Sequence, residues 1–198
     1  MFVVETKFAK IARKHKLNSS ELMVCIGSIL GDGYLDKTTR GYSLRIHHGL
    51  KQIPYVDYKY SILRNIVNSS PKISGKAYYF RTISHPIFSE LRSVFYNNKV
   101  KTVPKLFLDN NFDSLAFAIW IMDDGSRDKN QLRINTQCFS LEDNMWLIKF
   151  LQAKLGITAT INLDKNKYRL RISYSSMSCL KDLVLPYIIP SMLYKLSP

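Results

Sequence analysis

Two short stretches of the chain end alike, and their ending points to metal chemistry. Residues 25–33 read CIGSILGDG and residues 116–125 read AFAIWIMDDG, so a run with almost nothing polar on it closes on a carboxylate beside glycine. The last carbonyls of a helix carry partial negative charge, and a carboxylate added there is unfavourable unless a cation compensates it. One such ending is an ordinary helix exit. Two in matched positions of one basic chain suit a hard divalent ion, for which Asp32 and Asp124 are the candidate ligands, with Gly31 and Asp123 just before them completing the set.

The elements that carry these residues must bring them together. Both runs are too hydrophobic all round for surface helices, which makes them the natural seam of a two-part core. Gly27 and Gly31, four apart, leave a flat strip on which a second helix can approach closely. Packed across a pseudo-two-fold axis, the helix ends join Asp32 to Asp124. Gly33 and Gly125 are expected to turn the backbone out in a left-handed conformation.

An axis requires a repeat. Asp32 and Asp124 are 92 residues apart, the LRI triplets at 44–46 and 132–134 are 88 apart, Arg81 and Arg171 are 90 apart, and Lys101 and Lys195 are 94 apart. Such similar offsets indicate an internal duplication, and two copies make a pseudo-dimer rather than a solenoid. The expected fold class is α+β, with two pseudo-symmetric αββαββα halves at 20–110 and 111–198 behind a basic arm at 1–19. In the first half helices are expected at Ser20–Leu30, Tyr55–Asn68 and Pro86–Tyr96, and extended segments at Tyr34–Leu35, Tyr42–His48, Lys72–Ser74 and Ala77–Ile83. In the second half a helix at Asp113–Met122 precedes a strand at Gln131–Cys138. Ser140 and Asp143 begin a capped helix that Gly156 stops after Leu155. Strands at Ile157–Leu163 and Tyr168–Tyr174 flank the turn-forming DKNK, and a last helix lies near Met177–Leu185.

The composition says what such a protein meets. Among 198 residues, 29 Lys and Arg against 15 Asp and Glu leave a net charge of +14, and a polyanion is the expected partner. Residues 1–110 carry 18 basic and 7 acidic side chains and residues 111–198 carry 11 and 8, so both halves are expected to touch it. Cys25, Cys138 and Cys179 stand apart without a CxxC pair, which argues for reduced intracellular thiols against a disulfide framework or a zinc site. No apolar run approaches membrane-spanning length, and the first residues lack the order of a secretory signal. An intracellular setting without a membrane is expected, with the mitochondrion or another organelle and the cytoplasm left open.

CIGSILGDG and AIWIMDDG resemble the paired signature motifs of the LAGLIDADG homing endonucleases, and their spacing is similar to the monomeric, two-motif branch of the I-SceI type. NNKVKTVP at 97–104, NTQCFS at 135–140 and IIPSMLYKLSP at 188–198 are similar to the corresponding stretches of that branch. Leu30 and Met122 stand where the motif writes its first Asp, and Ile119 replaces its Gly, which puts in question how symmetrically the seam helices approach. The resemblance implies a monomer that binds double-stranded DNA at a long asymmetric site and hydrolyses both strands with Mg²⁺, Mn²⁺ substituting. It implies that Asp32 and Asp124 are the catalytic, metal-binding carboxylates, one per strand. Asp123 falls at the family's Ala and ranks behind Asp124 as a ligand. Lys101 and Lys195 resemble basic residues near the scissile phosphates, where their charge stabilises the reaction or orients the attacking water.

Target choice would come from the strands. Alternation in QLRINTQC puts Gln131, Arg133, Asn135 and Gln137 on one face and Leu132, Ile134 and Cys138 on the other. Arg suits guanine edges, and Asn or Gln suit adenine edges, in a major groove wide enough for a two-stranded ribbon. The hairpin adds Thr158, Thr160, Asn162, Arg169, Arg171 and Ser173, and the first half offers Ser43, Arg45, His47 and Arg81. His47 and His48 are set aside as a ligand pair, since adjacent strand residues point to opposite faces and no third ligand is in sight. DDGSRDKN lacks the spacing and terminal Glu of a calcium loop. Two rival functions remain: an RNA-binding splicing cofactor acting on intron RNA, and a catalytically silent DNA-binding regulator.

Overall fold

The computed structural model describes residues 6–196, so the first five residues of the basic arm and the last two of the chain lie outside the described residues. A short helix α1 (Lys7–Ala12) precedes α2 (Ser19–Leu30), β1 (Tyr34–Thr38), β2 (Gly41–Gly49), α3 (Ile53–Leu63), β3 (Lys72–Ser74), β4 (Ala77–Arg81) and α4 (Pro86–Phe95). A hairpin of β5 (Tyr96–Asn97) and β6 (Val100–Lys101) and the helix α5 (Lys105–Asn110) lead on to α6 (Ser114–Asp124). The first order then recurs as β7 (Gly125–Asp128), β8 (Gln131–Ile134), α7 (Leu141–Leu155), β9 (Ala159–Asp164), β10 (Lys167–Ile172) and α8 (Met177–Val184).

The two four-stranded sheets have matching orders, β1-β2-β4-β3 and β7-β8-β10-β9, with antiparallel pairing throughout. Their registers match too, since Arg45 pairs with Arg81 in one and Arg133 with Arg171 in the other. Alternation supplies the reason. Leu44 and Ile46 on β2, Leu132 and Ile134 on β8, and Leu170 and Ile172 on β10 are buried, and slipping any strand by one residue would turn these side chains to solvent.

Local signals set several element ends. At α2 Asn18 accepts from the Glu21 N–H and Glu21 accepts from the Asn18 N–H, satisfying two donors that the first turn leaves orphaned. Asp113 caps α6, and Ser140 caps α7, which stops at Gly156 with φ 68°. Elsewhere tertiary contacts override the pattern. The helix expected to reach Asn68 is α-helical only to Leu63 and closes in a 3₁₀ turn at Arg64–Ile66, freeing the Ile66 carbonyl to accept from Ile83 N–H. The strand expected over Gln131–Cys138 stops at Ile134, because Thr136 turns inward to bond Asn144 and Leu170 N–H. Polar β7, whose only buried residue is Gly125, gave no alternating signal.

The seam is α2 against α6, both buried along nearly their whole length. Gly27 is needed there: a Cβ on it would lie 2.4 Å from the Ala116 carbonyl oxygen and 2.7 Å from Ile119 Cβ. At the repeat offset, Ile119 is the counterpart of Gly27 and Asp123 the counterpart of Gly31. Each glycine faces its own larger counterpart, as a Cβ on Gly31 would lie 2.5 Å from Asp123 Cβ. The departure at Ile119 is thus absorbed by packing large against small. The left-handed turn expected after each helix does not occur, for neither Gly33 nor Gly125 has positive φ. Glycine is required for space instead, since a Cβ would lie 2.6 Å from Ser28 O at Gly33 and 2.4 Å from Ile121 O at Gly125.

Candidate active site

Three carboxylates meet where the seam helices end. The Asp32 side chain is half exposed (51%), Asp124 is partly buried, and the Asp123 side chain is fully buried. Asp123 ties the two helix ends together: Oδ2 accepts from the Asp32 backbone N–H at 3.3 Å, and Oδ1 accepts from Lys59 Nζ of α3 at 2.7 Å. His48, on the core face of β2, has Nδ1 3.7 Å from Asp32 Oδ2 and Nε2 3.6 Å from Asp123 Oδ1. Asp32, His48 and Asp123 offer ligand atoms all within 4.8 Å of one another. His47 and His48 do point to opposite faces and form no ligand pair, but His48 alone meets Asp32 and Asp123, which the fold brings from distant parts of the chain. The ranking of Asp123 behind Asp124 meets a different geometry as well, for Asp124 stands outside that cluster.

Burial, and after it the crowding of charge, controls the ionisation here. Burial, then the nearness of Asp123, raises the Asp32 carboxyl. Burial, then Asp32 and Asp123, push Asp124 up to about 8. Burial and the Lys59 ammonium bring His48 down to about 4, leaving a neutral imidazole with a lone pair to offer. Burial also lowers Lys101 and Lys195, against the pull of the acids. The β5–β6 hairpin, turning at Asn98 (φ 55°), returns Lys101 to the end of α2, where Nζ donates to Gly31 O at 2.8 Å. The 3₁₀ segment Pro190–Lys195 brings Lys195 to the end of α6, where Nζ donates to Asp123 O at 2.8 Å. Gly31 and Asp123 being counterparts, the two lysines make the same contact on the two helices.

This donor set fits a hard divalent cation. Carboxylate and carbonyl oxygens predominate, and carboxyls held this high release that strain when a cation joins them. Asp32 is the most open ligand, whereas Asp123 Oδ1 is already taken by a buried ammonium. The set is not symmetric. His48 and Lys59 correspond, at the offset of the LRI triplets, to Thr136 and Leu147, and Asp123 corresponds to Gly31, so the charged trio exists once. Lys59 lies in the inward stripe of α3 with Tyr55, Val56 and Leu63, and the sequence reading missed it.

The sheet faces away from the core hold most of the candidate nucleic-acid contacts. Register puts Arg45, His47 and Arg81 on one face, joined by Tyr34, Asp36 and Tyr79, which the sequence reading missed. Ser43 shares their parity but is buried (1%), beside a cavity of about 290 Å³ that Arg13 and Arg81 also line. In the other sheet Gln131, Arg133, Thr160, Asn162, Arg169 and Arg171 share a face. Asn135, Gln137 and Ser173 follow beyond the strand ends, Gln137 donating to Asp164 at 3.1 Å. Thr158 turns the other way and donates its hydroxyl to Gln152 of α7. A cavity of about 370 Å³ runs from Asp32 to Tyr34, Arg45 and His47, joining the carboxylates to the sheet face.

Comparison with known proteins bears on this site. Residues 22–180 match the model of the LAGLIDADG DNA endonuclease family. The chain is 34% identical to the cytochrome b mRNA maturase bI2 of Saccharomyces cerevisiae, over 91% of this chain and 48% of that protein, so it spans about half the length of this relative. It is 35% identical to the probable intron-encoded DNA endonuclease 3 of Mycosarcoma maydis, over 61% of this chain and 93% of the relative. Among solved structures, the homing endonuclease I-WcaI bound to its DNA recognition sequence superposes with a TM-score of 0.90 at 27% identity, covering 99% of this chain and 95% of that one.

Proposed function

Because the chain belongs to the LAGLIDADG DNA endonuclease family, we propose that it is a site-specific endonuclease that acts as a monomer and cuts both strands of a long, asymmetric DNA site with Mg²⁺ or Mn²⁺. The observation that carries this reading is the matched convergence at the seam, with Asp32 and Asp124 at the helix ends and Lys101 and Lys195 on equivalent carbonyls at 2.8 Å. Asp32 and Asp124 would hold the ions, one centre per strand, with the Gly31 and Asp123 positions beside them. The metal, when bound, supplies an activated water and charge relief at phosphorus. Lys101 and Lys195 add positive charge beside the negative charge that develops on the leaving oxygen. Residues 20–110 and 111–198 each take one half of the target, and the basic arm steadies the first. Arg, Asn and Gln on the two sheet faces read base edges in the major groove.

The test uses a duplex recovered from a randomised library by the protein itself. Asp32→Asn and Asp124→Asn should each retain that duplex in a binding assay and lose double-strand cleavage by about a hundredfold or more. Full cleavage with both residues changed would defeat the reading.

One observation favours a second activity. The similarity to a cytochrome b mRNA maturase supports a role in splicing intron RNA and an organellar setting such as the mitochondrion. Splicing of the host intron transcript in the presence of the protein, scored with and without the Asp substitutions, separates that activity from cleavage. Among the described residues no helix is long and apolar enough to cross a membrane.

A further inference from the structure

Surfaces that meet a polyanion should be poor in acids, yet three aspartates sit on the two sheet faces. Asp36 on β1, Asp128 on β7 and Asp164 on β9 share parity and register with the arginines there. Each holds an arginine. Asp36 Oδ2 accepts from Arg81 Nη2 at 2.7 Å and lies 3.6 Å from Arg45 Nε. Asp128 Oδ2 accepts from Arg133 Nε at 2.7 Å and also touches its Nη2. Asp164 Oδ2 lies 3.3 Å from Arg169 Nη1.

Two of these acids are counterparts. Asp36 and Asp128 are 92 residues apart, the offset of Asp32 and Asp124, and each stands four residues after its carboxylate. The same acid therefore holds the arginine of the second strand or its cross-strand partner in both halves. The Asp128–Arg133 pair is half-buried, with side chains 21% and 29% exposed, whereas the Asp36 pair opens to water on its arginine side, Arg81 being 49% exposed.

We propose that Asp36 and Asp128 are specificity-determining positioning residues, which keep Arg45, Arg81 and Arg133 directed at base edges and away from phosphates. The inference rests on the reading of the protein as a sequence-reading DNA endonuclease. Its physical basis is the donor count of arginine. A guanidinium has five N–H donors; with Nε and one edge of Nη2 engaged by Asp128, the far end of Arg133 still presents two parallel N–H groups, the fork that fits guanine O6 and N7. A side chain fixed beforehand loses less entropy on binding. The carboxylate also neutralises the arginine it holds, which weakens its attraction to any phosphate, whatever the sequence.

Selection from a randomised duplex library, read position by position, tests this with wild type, Asp36→Asn, Asp128→Asn and Glu142→Gln. The last removes the same charge from α7, on the core side of its sheet. Wild type and Glu142→Gln should enrich one long asymmetric sequence. Asp128→Asn should lose its G·C preference, by roughly tenfold, at positions in one half of that sequence, and Asp36→Asn in the other half. Both Asp variants should bind an unrelated duplex more tightly than wild type, with a steeper salt dependence. If wild type enriches a sequence and both Asp variants enrich it equally well, the inference is overturned while the endonuclease reading stands. If wild type enriches nothing, the endonuclease reading fails and the inference goes with it.

Discussion

Asp124 is a seam carboxylate whose ionisation the fold shifts far. Its pKa of about 8, raised by burial and by Asp32 and Asp123, means that the folded protein without metal favours the protonated acid, while the unfolded chain ionises near pH 4. A group raised in this way contributes stability that is fully present at low pH and lost as pH climbs from about 4 through about 8. In chelator, Asp124→Asn should therefore melt higher than wild type at about pH 8, and the gap should shrink at about pH 5. Added Mg²⁺ should narrow it by stabilising wild type more than the variant, which keeps only the Asp32 centre. Thermal melts under these conditions check the account, and a variant that melts no higher than wild type at about pH 8 in chelator would show that the carboxylates are not crowded. Asp32, Asp124, Lys101 and Lys195 could be singled out from sequence because the duplication repeats them. His48 and Lys59 could not, since no counterpart repeats their chemistry and each depends on a contact between distant elements.

The seam is where element-level patterns were most informative and where they failed for a clear reason. The all-apolar runs of α2 and α6, the capped α7 and the β9–β10 hairpin follow from local propensity and periodicity. What periodicity could not convey is that a buried lysine of α3 would be drawn to a buried aspartate of α6. Lys59 and Asp123 are fully buried in their side chains and 2.7 Å apart, so removing one leaves a bare charge in the core. Lys59→Met should cost about 3–5 kcal/mol, and adding Asp123→Ala should recover most of that loss, because a buried ion pair replaced by apolar groups is often nearly neutral. Denaturant titrations of the single and double variants measure the difference. An equal loss in both would mean that Lys59 acts through its packing over the Tyr55 ring, 4.4 Å away, rather than through its charge. The turns after α2 and α6 teach the same lesson, because glycine there answers a carbonyl pressing from the preceding turn rather than a dihedral demand.

At the scale of the whole molecule, two half-units joined at one seam present two basic sheet faces beside a single cluster of acids. On the proposed reading, the net charge of +14 would draw in a duplex from any direction, and the sheets with their acid-paired arginines would determine where it stops. The seam would then set Asp32 and Asp124 at the junction of the halves, so that the proposed binding and cutting are registered by the same pair of helices. The pseudo-symmetry would suit two strands of opposite polarity, while the single Lys59–Asp123–His48 trio makes the two helix ends unequal. The most direct measurement is anomalous scattering from Mn²⁺ in crystals of the protein with its selected duplex. The account predicts peaks coordinated by carboxylate oxygens of Asp32 and Asp124 against backbone phosphates. Manganese bound elsewhere, with both carboxylates turned away from the phosphates, would contradict it.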